Sequence, residues 1–216
     1  IVDCMGVCMT LLEGENAAML VDTGYGIEDV ADFMRHMTDL PLTVFLTHNH
    51  HDHAMGARCF PETYMLEADM ADWRMFTNDE MRRRVLTQAI GKNLPVDEKT
   101  FLAGEIPLPK VMKPGVIDLG GLTAEIIEAP GHTPGSAVVY VPERKLLLSG
   151  DDWNPCTWLF FPQALGLREY RSNMRGIQQL PFEKVLCPHR EALYDRWMFD
   201  DFFNALTDGN LRAAEP

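Results

Sequence analysis

Hydrophobic positions fall along this chain in short runs separated by turn residues and by stretches of helical period. Val2 to Leu12 is largely apolar, Glu13-Gly14-Glu15-Asn16 turns the chain, and Ala17 to Val21 returns, which predicts two paired strands. Asp22-Thr23-Gly24 closes this hairpin, with Gly24 and Gly26 permitting a tight loop. Ile27, Val30, Ala31, Met34 and Met37 recur at helical spacing and predict a helix over about 27–38. Pro41 ends it, and Leu42-Thr43-Val44-Phe45-Leu46 reads as a buried strand. A short helix is expected from Asp52 to Cys59, a strand at Thr63–Leu66, then a helical region to about Gly91. Pro95, Pro107, Pro109 and Pro114 punctuate an irregular connection over 93–117. Beyond it the pattern predicts strands at about 122–128, 136–141 and 145–149, and a long loop over 152–167. A helix carrying Tyr170, Met174 and Ile177, a strand at 184–187 and a terminal helix over about 190–207 complete the chain. Strands and helices alternating in two halves suit an α/β sandwich with helices outside two packed sheets.

The 216 residues suit one domain, 1–216, with an insertion at about 62–115. A net charge of −13 disfavours a nucleic-acid partner, which needs a basic footprint, and no apolar run reaches membrane-span length. A small-molecule substrate is expected instead, with a homodimer left open. Cys4, Cys8, Cys59, Cys156 and Cys187 are scattered and odd in number, which suits free thiols in a reducing compartment. A cytoplasmic location is the expectation.

The chemistry concentrates in Thr47-His48-Asn49-His50-His51-Asp52-His53, directly after the strand at 42–46. His48 and His50 are two apart and share a side of an extended backbone, whereas the adjacent Asp52 and His53 diverge. One segment can thus serve two metal ions, and imidazole with carboxylate suits Zn, Fe, Mn or Ni better than Ca or Mg. His51 is expected to point away from the ligands, and His36 and the Arg82-Arg83-Arg84 triplet to lie on solvated helix faces.

His48-x-His50-x-Asp52-His53 resembles the signature of the metallo-β-lactamase-fold hydrolases, the superfamily that includes glyoxalase II and N-acyl homoserine lactonases. The further ligands of that family have counterparts in order, each after a predicted strand. They are His132 in Ala129-Pro130-Gly131-His132-Thr133-Pro134-Gly135, Asp151 after Leu146–Ser149, and His189 after Val185-Leu186-Cys187-Pro188. The resemblance implies a four-layer αββα sandwich with a helical insertion. It also implies two divalent metal ions, zinc favoured and iron or manganese the alternatives. His48, His50 and His132 would bind the first; Asp52, His53 and His189 the second; Asp151 would bridge. Asp22 matches the carboxylate that orients a ligand-bearing loop.

Two metals about 3.5–4 Å apart can share a hydroxide and polarise a carbonyl, and Asp52 is the candidate to orient that hydroxide and carry its proton. The expected reaction is hydrolysis of a small ester, lactone or thioester. The alternatives are an iron-dependent redox protein or sulfur dioxygenase, a phosphodiesterase, and a metal-binding module without activity. Asp151 stands where β-lactamases of the family commonly have Cys, and Ser136 where glyoxalase II has a second His, so the substrate is not inherited from either. Trp158, Phe160 and Phe161 follow the bridging Asp151 closely and are expected to form an apolar substrate wall, with the insertion facing them.

Overall fold

In the computed structural model, residues 1–213 are described, with side chains through 210. Two sheets form. The first has the order β1 (Thr10–Glu13), β2 (Ala18–Val21), β3 (Leu42–Phe45), β4 (Tyr64–Met65) and β5 (Lys110–Val111). β1 runs antiparallel to β2 and the remaining pairs are parallel. The second contains β6 (Gly115–Asp118), β7 (Thr123–Glu128), β8 (Ala137–Val141), β9 (Leu146–Leu148), β10 (Lys184–Leu186) and β11 (Leu193–Asp195), in the order β11-β10-β9-β8-β7-β6. Only β9 and β10 pair in parallel there.

Strand alternation explains the layers, because successive side chains leave opposite faces. On β2, Met19 and Val21 pack inward with Val139, Val141, Ile126 and Leu148 of the second sheet. Leu20 points outward, onto Val30, Ala31 and Met34 of helix α1 (Val30–Met37). On β8, Val138 and Tyr140 face outward onto Tyr170, Met174 and Ile177 of α6 (Leu167–Gln178) and Phe199 and Phe203 of α7 (Arg196–Ala205). A strand buried on both faces must be apolar throughout, which is why Ala137-Val138-Val139-Tyr140-Val141 shows no polar alternation. The result is the four-layer αββα sandwich. Among the described residues no helix is long and apolar enough to cross a membrane.

Several boundaries differ from the sequence reading. Val2–Leu12 is not one strand: Gly6 turns at φ +98°, and only an isolated Val2–Cys8 bridge precedes β1. The ends of the 62–115 segment are strands of the first sheet, β4 and β5, so the excursion from the sheets is shorter than expected. Its helices α3 (Trp73–Thr77), α4 (Asp79–Gly91) and α5 (Glu98–Phe101) bury Trp73, Val85, Leu86 and Phe101 against Leu46 and Met65. The connection over 93–117 is not irregular to its end, because β6 pairs with β7 from Gly115. The prolines precede both short strands and hid them. The expected helix over 190–207 begins only at Arg196, since Leu193–Asp195 first pairs with β10 as β11.

Arg82 also departs from expectation. It is buried, and its guanidinium donates to the carbonyls of Phe101, Ala103 and Gly104 at the end of α5. Those helix-end carbonyls have no intrahelical partner, and a fixed cation satisfies them. Arg83 and Arg84 are solvated, as is His36.

Candidate metal centre

Each ligand-type residue sits where a strand ends. His48, His50, Asp52 and His53 follow β3, the last two on the short helix α2 (His51–Ala54). His132 follows β7, Asp151 follows β9 and His189 follows β10. The two sheets are joined at this rim, where Ala137 N donates to Thr47 O at 2.9 Å. Two groups result: His48, His50 and His132; and Asp52, His53, Asp151 and His189. Each has ligand atoms within 4.8 Å of one another. Each group draws on both sheets.

Asp151 stands between them. Its Oδ2 lies 3.5 Å from His132 Nε2 on one side, and 3.5 and 3.0 Å from His53 and His189 Nε2 on the other. Asp52 Oδ2 lies 3.7 Å from His53 Nε2 and 3.6 Å from His189 Nε2. In the first group His132 Nε2 and His50 Nδ1 approach to 2.9 Å. Buried polar atoms without a partner are uncommon in folded proteins. Here His48 Nε2, His53 Nε2 and Asp151 Oδ1 are all buried and unpartnered. Imidazole nitrogens and carboxylate oxygens converging in this way, several of them without a hydrogen-bond partner, fit divalent cations.

The outer nitrogens of His48, His53 and His132 are occupied, which orients these three rings. Asp22 Oδ2 accepts from His53 Nδ1 at 2.9 Å. The same carboxylate accepts from Thr47 N at 2.7 Å and from the Thr47 hydroxyl at 2.9–3.0 Å. With its proton on Asp22, Thr47 Oγ1 accepts from His48 Nδ1 at 3.0 Å. One carboxylate therefore orients a ring in each group, His53 directly and His48 through Thr47. Asp22 holds this place with φ +64°, a left-handed conformation that Asp tolerates better than bulkier residues. His132 Nδ1 donates to the Trp158 carbonyl at 2.7 Å.

Burial, then the neighbouring imidazoles, hold His48 neutral well below its ordinary range, and burial pushes His50 down to about 3. Burial lowers His132 in the same direction. His53 goes the other way. Burial opposes its proton, but Asp151, Asp52 and Asp22 together outweigh that and raise it well above the usual imidazole range. Asp151 stays ionised, since His53 and His189 overcome the effect of burial.

His51 joins neither group. Its Nδ1 lies 3.8 Å from Asp52 Oδ1, and its ring stacks edge-on with Tyr25 at 5.5 Å. Phe161 packs against His50 at 5.0 Å and His132 at 5.5 Å, and Phe76 of α3 covers His50 at 4.5 Å. Phe160 stacks on Phe161 at 4.8 Å and is 71% exposed; Trp158 is 53% exposed. These three aromatics are not core residues. Tyr170 is: it is buried and its hydroxyl donates to the Asp152 carbonyl.

Sequence reasoning missed three residues here. Asp69 is buried and accepts from Asn49 N at 3.2 Å, Thr133 Oγ1 at 2.8 Å and Gly135 N at 2.6 Å, tying the His48–His53 loop to the His132 loop. Gly135 permits this approach, since a Cβ there would fall 2.6 Å from Asp69 N. Tyr25, on the loop after Asp22, is kept protonated by burial and then by Asp52, Asp3 and Asp151. Thr47 stood inside the motif but carried no sign of its relay role. Asp69 looked like any acid in a turn.

A pair of His and carboxylate groups at the mouth of a four-layer sandwich is the arrangement of a metal-dependent hydrolase. The family model described as the metallo-beta-lactamase superfamily matches residues 2–189, and the chain belongs to that superfamily. A chicken (Gallus gallus) protein named acyl-coenzyme A thioesterase MBLAC2 is 26% identical over 200 residues, covering 83% of this chain and 70% of that protein. The metallo-β-lactamase from Pontibacter korlensis has the same fold, with a TM-score of 0.65 at 17% identity, covering 94% of this chain and 87% of that one. So does TTHA1623, solved in a di-iron-bound form, with a TM-score of 0.63 at 20% identity over 92% of this chain and 94% of that one.

Asp22→Asn is expected to lower metal affinity about 10–100-fold while the protein stays folded. The amide can still accept from Thr47 but offers its NH2 to His53 Nδ1, favouring the wrong tautomer. Competition with a chromophoric chelator measures this, and an unchanged dissociation constant would exclude the orienting role.

Proposed function

We propose that the chain is a dinuclear metal-dependent hydrolase of a small thioester or related activated ester, with Asp52 as the proton-handling residue. The observation that carries this reading is the position of Asp151 Oδ2, within 3.5 Å of ligand nitrogens from both groups. Bound there, two divalent ions would supply a hydroxide nucleophile at neutral pH and polarise the carbonyl it attacks. Zinc is favoured, and iron or manganese would suit the same His and carboxylate donors. Asp22 and Thr47 hold His53 and His48 in the ligating tautomer. Asp52, with its side chain 15% exposed, reaches both the second group and the open rim. It is therefore placed to take the proton of the attacking water and return it to the leaving group. Phe161, Phe160 and Trp158 would shield the carbonyl from water and accept an apolar portion of the substrate. The thioester preference is supported by the name of the chicken relative, and the acidic chain favours a small molecule over nucleic acid as partner.

The test is elemental analysis of protein purified without added metal, followed by assay on thioesters, oxoesters and lactones. Two ions per chain and thioester turnover that a chelator abolishes are expected. Iron with oxygen uptake in place of hydrolysis would replace this reading with a redox one.

The two ions should differ in proton release. Ligands must be deprotonated to bind. His48, His50 and His132 are already neutral at pH 7, whereas His53 is protonated because its pKa is raised. Loading the second group should therefore release more protons than loading the first and weaken more as pH falls. Calorimetric titration of metal-free protein in buffers of different ionisation enthalpy separates the two; equal release by both equivalents would contradict it.

Phe161→Ala is expected to raise KM several-fold for substrates with long apolar acyl groups and to leave metal content intact. A loss of about 3–5 kcal/mol in denaturant unfolding would instead mark Phe161 as a core residue.

A further inference from the structure

A cavity of about 280 Å³ opens beside the second ligand group, lined by Asp151, Asn154, Cys156, Trp158, His189 and Arg190. Asn154 is only 8% exposed, and its amide has a fixed orientation. Its Oδ1 accepts from Cys156 N at 2.7 Å, in a turn that Thr157 closes by hydrogen bonds to both the Asn154 N–H and its carbonyl. With the oxygen committed there, Nδ2 is the polar atom Asn154 offers to the cavity, and it has no acceptor among the described residues. Arg190 stands on the rim, and no carboxylate among the described residues lies within ion-pair distance of its guanidinium. Trp158 adds a flat apolar wall. The volume is just under the roughly 300–1,000 Å³ usual for a whole small-molecule site, so it takes one end of a substrate. The other end has the apolar surface of Phe76 and Phe161 over the first group.

We propose that this cavity is a subsite for an anionic group, a carboxylate or phosphate, on the leaving portion of the substrate. Arg190 pairs with the charge, Asn154 Nδ2 donates a second hydrogen bond, and Trp158 covers the body that carries it. The assignment rests on the hydrolase reading for what is cleaved, but not for what is bound.

The test uses metal-loaded protein and S-aryl thioacetates bearing a 4-carboxylate, a 4-phosphonate or an uncharged 4-carbamoyl group. Hydrogen bonds to charged groups contribute enough for the anionic members to be favoured about tenfold or more in kcat/KM. Either anion favoured supports the subsite, and the two arms identify which it prefers. Arg190→Gln should bring the anionic-to-neutral ratio close to one. Asn154→Asp keeps the oxygen that accepts from Cys156 N but replaces the donor with a negative acceptor, and should take the ratio below one. A second readout is binding of 4-(methylthio)benzoate against 4-(methylthio)benzamide, followed by Trp158 fluorescence with Trp158→Phe as background. A ratio of one in the parent, or a ratio that Arg190→Gln does not move, would overturn the proposal. If no thioester is cleaved but the benzoate still binds preferentially through Arg190, the hydrolase reading fails and the subsite stands.

Discussion

Asp151→Ala is expected to strip metal from both groups and to lower hydrolysis about 10³-fold or more, because it removes the one carboxylate that both groups share. Its loss leaves the Nε2 atoms of His53 and His189 without the carboxylate oxygen nearest to each, at 3.5 and 3.0 Å, and takes from the first group the anion 3.5 Å from His132. The core should survive the change, since Asp151 packs at the rim and not between the sheets. Elemental analysis and thioester kinetics on the same preparation decide the matter. A variant that keeps two ions and turns over like the parent would show that Asp151 is not shared, and the dinuclear reading would fall with it.

Asp52→Asn should separate chemistry from metal binding. The amide oxygen can still face His53 and His189, at the positions 3.7 and 3.6 Å away that the carboxylate occupies. It cannot accept a proton. General base catalysis contributes about 10²–10⁴-fold, so turnover should fall by that order while metal content falls little. Equal losses in both would reduce Asp52 to a ligand, and turnover within a few-fold of the parent at equal loading would remove its catalytic role.

Most of what places these residues was legible in the chain because the physical signal was local. An apolar run of strand length with His or Asp three residues beyond its end occurs at Phe45, Leu148 and Leu186, and each of those strands forms with its ligand at the exit. The apolar run at about 136–141 marked the strand β8, and the structure shows it covered on both faces. What escaped depends on partners remote in sequence. Asp69 matters only because Asn49 and Gly135 fold onto it, and Arg82 is buried only because α5 ends beside it. Tyr25 gains its place from the crossing of the Asp22 loop over α2, where Thr23 N donates to His53 O. The strands β5, β6 and β11 are short and partly exposed, so they carry too little apolar pattern to announce themselves.

That each ligand group takes members from both sheets has a consequence for the order of assembly. The first group joins His48 and His50 to His132, and the second joins Asp52 and His53 to Asp151 and His189. Neither half of the sequence holds a full set for either ion. In an unfolded chain, bringing these positions together would carry the closure entropy of a very long loop with no sheet interface to offset it. A metal ion is therefore not expected to nucleate this fold in the way it does for small metal-dependent domains. The two halves are expected to dock first through the apolar layer between the sheets, so that metal would enter a rim that is already formed. The metal-free protein is therefore expected to fold, and a cooperative unfolding transition in the presence of a chelator would show it.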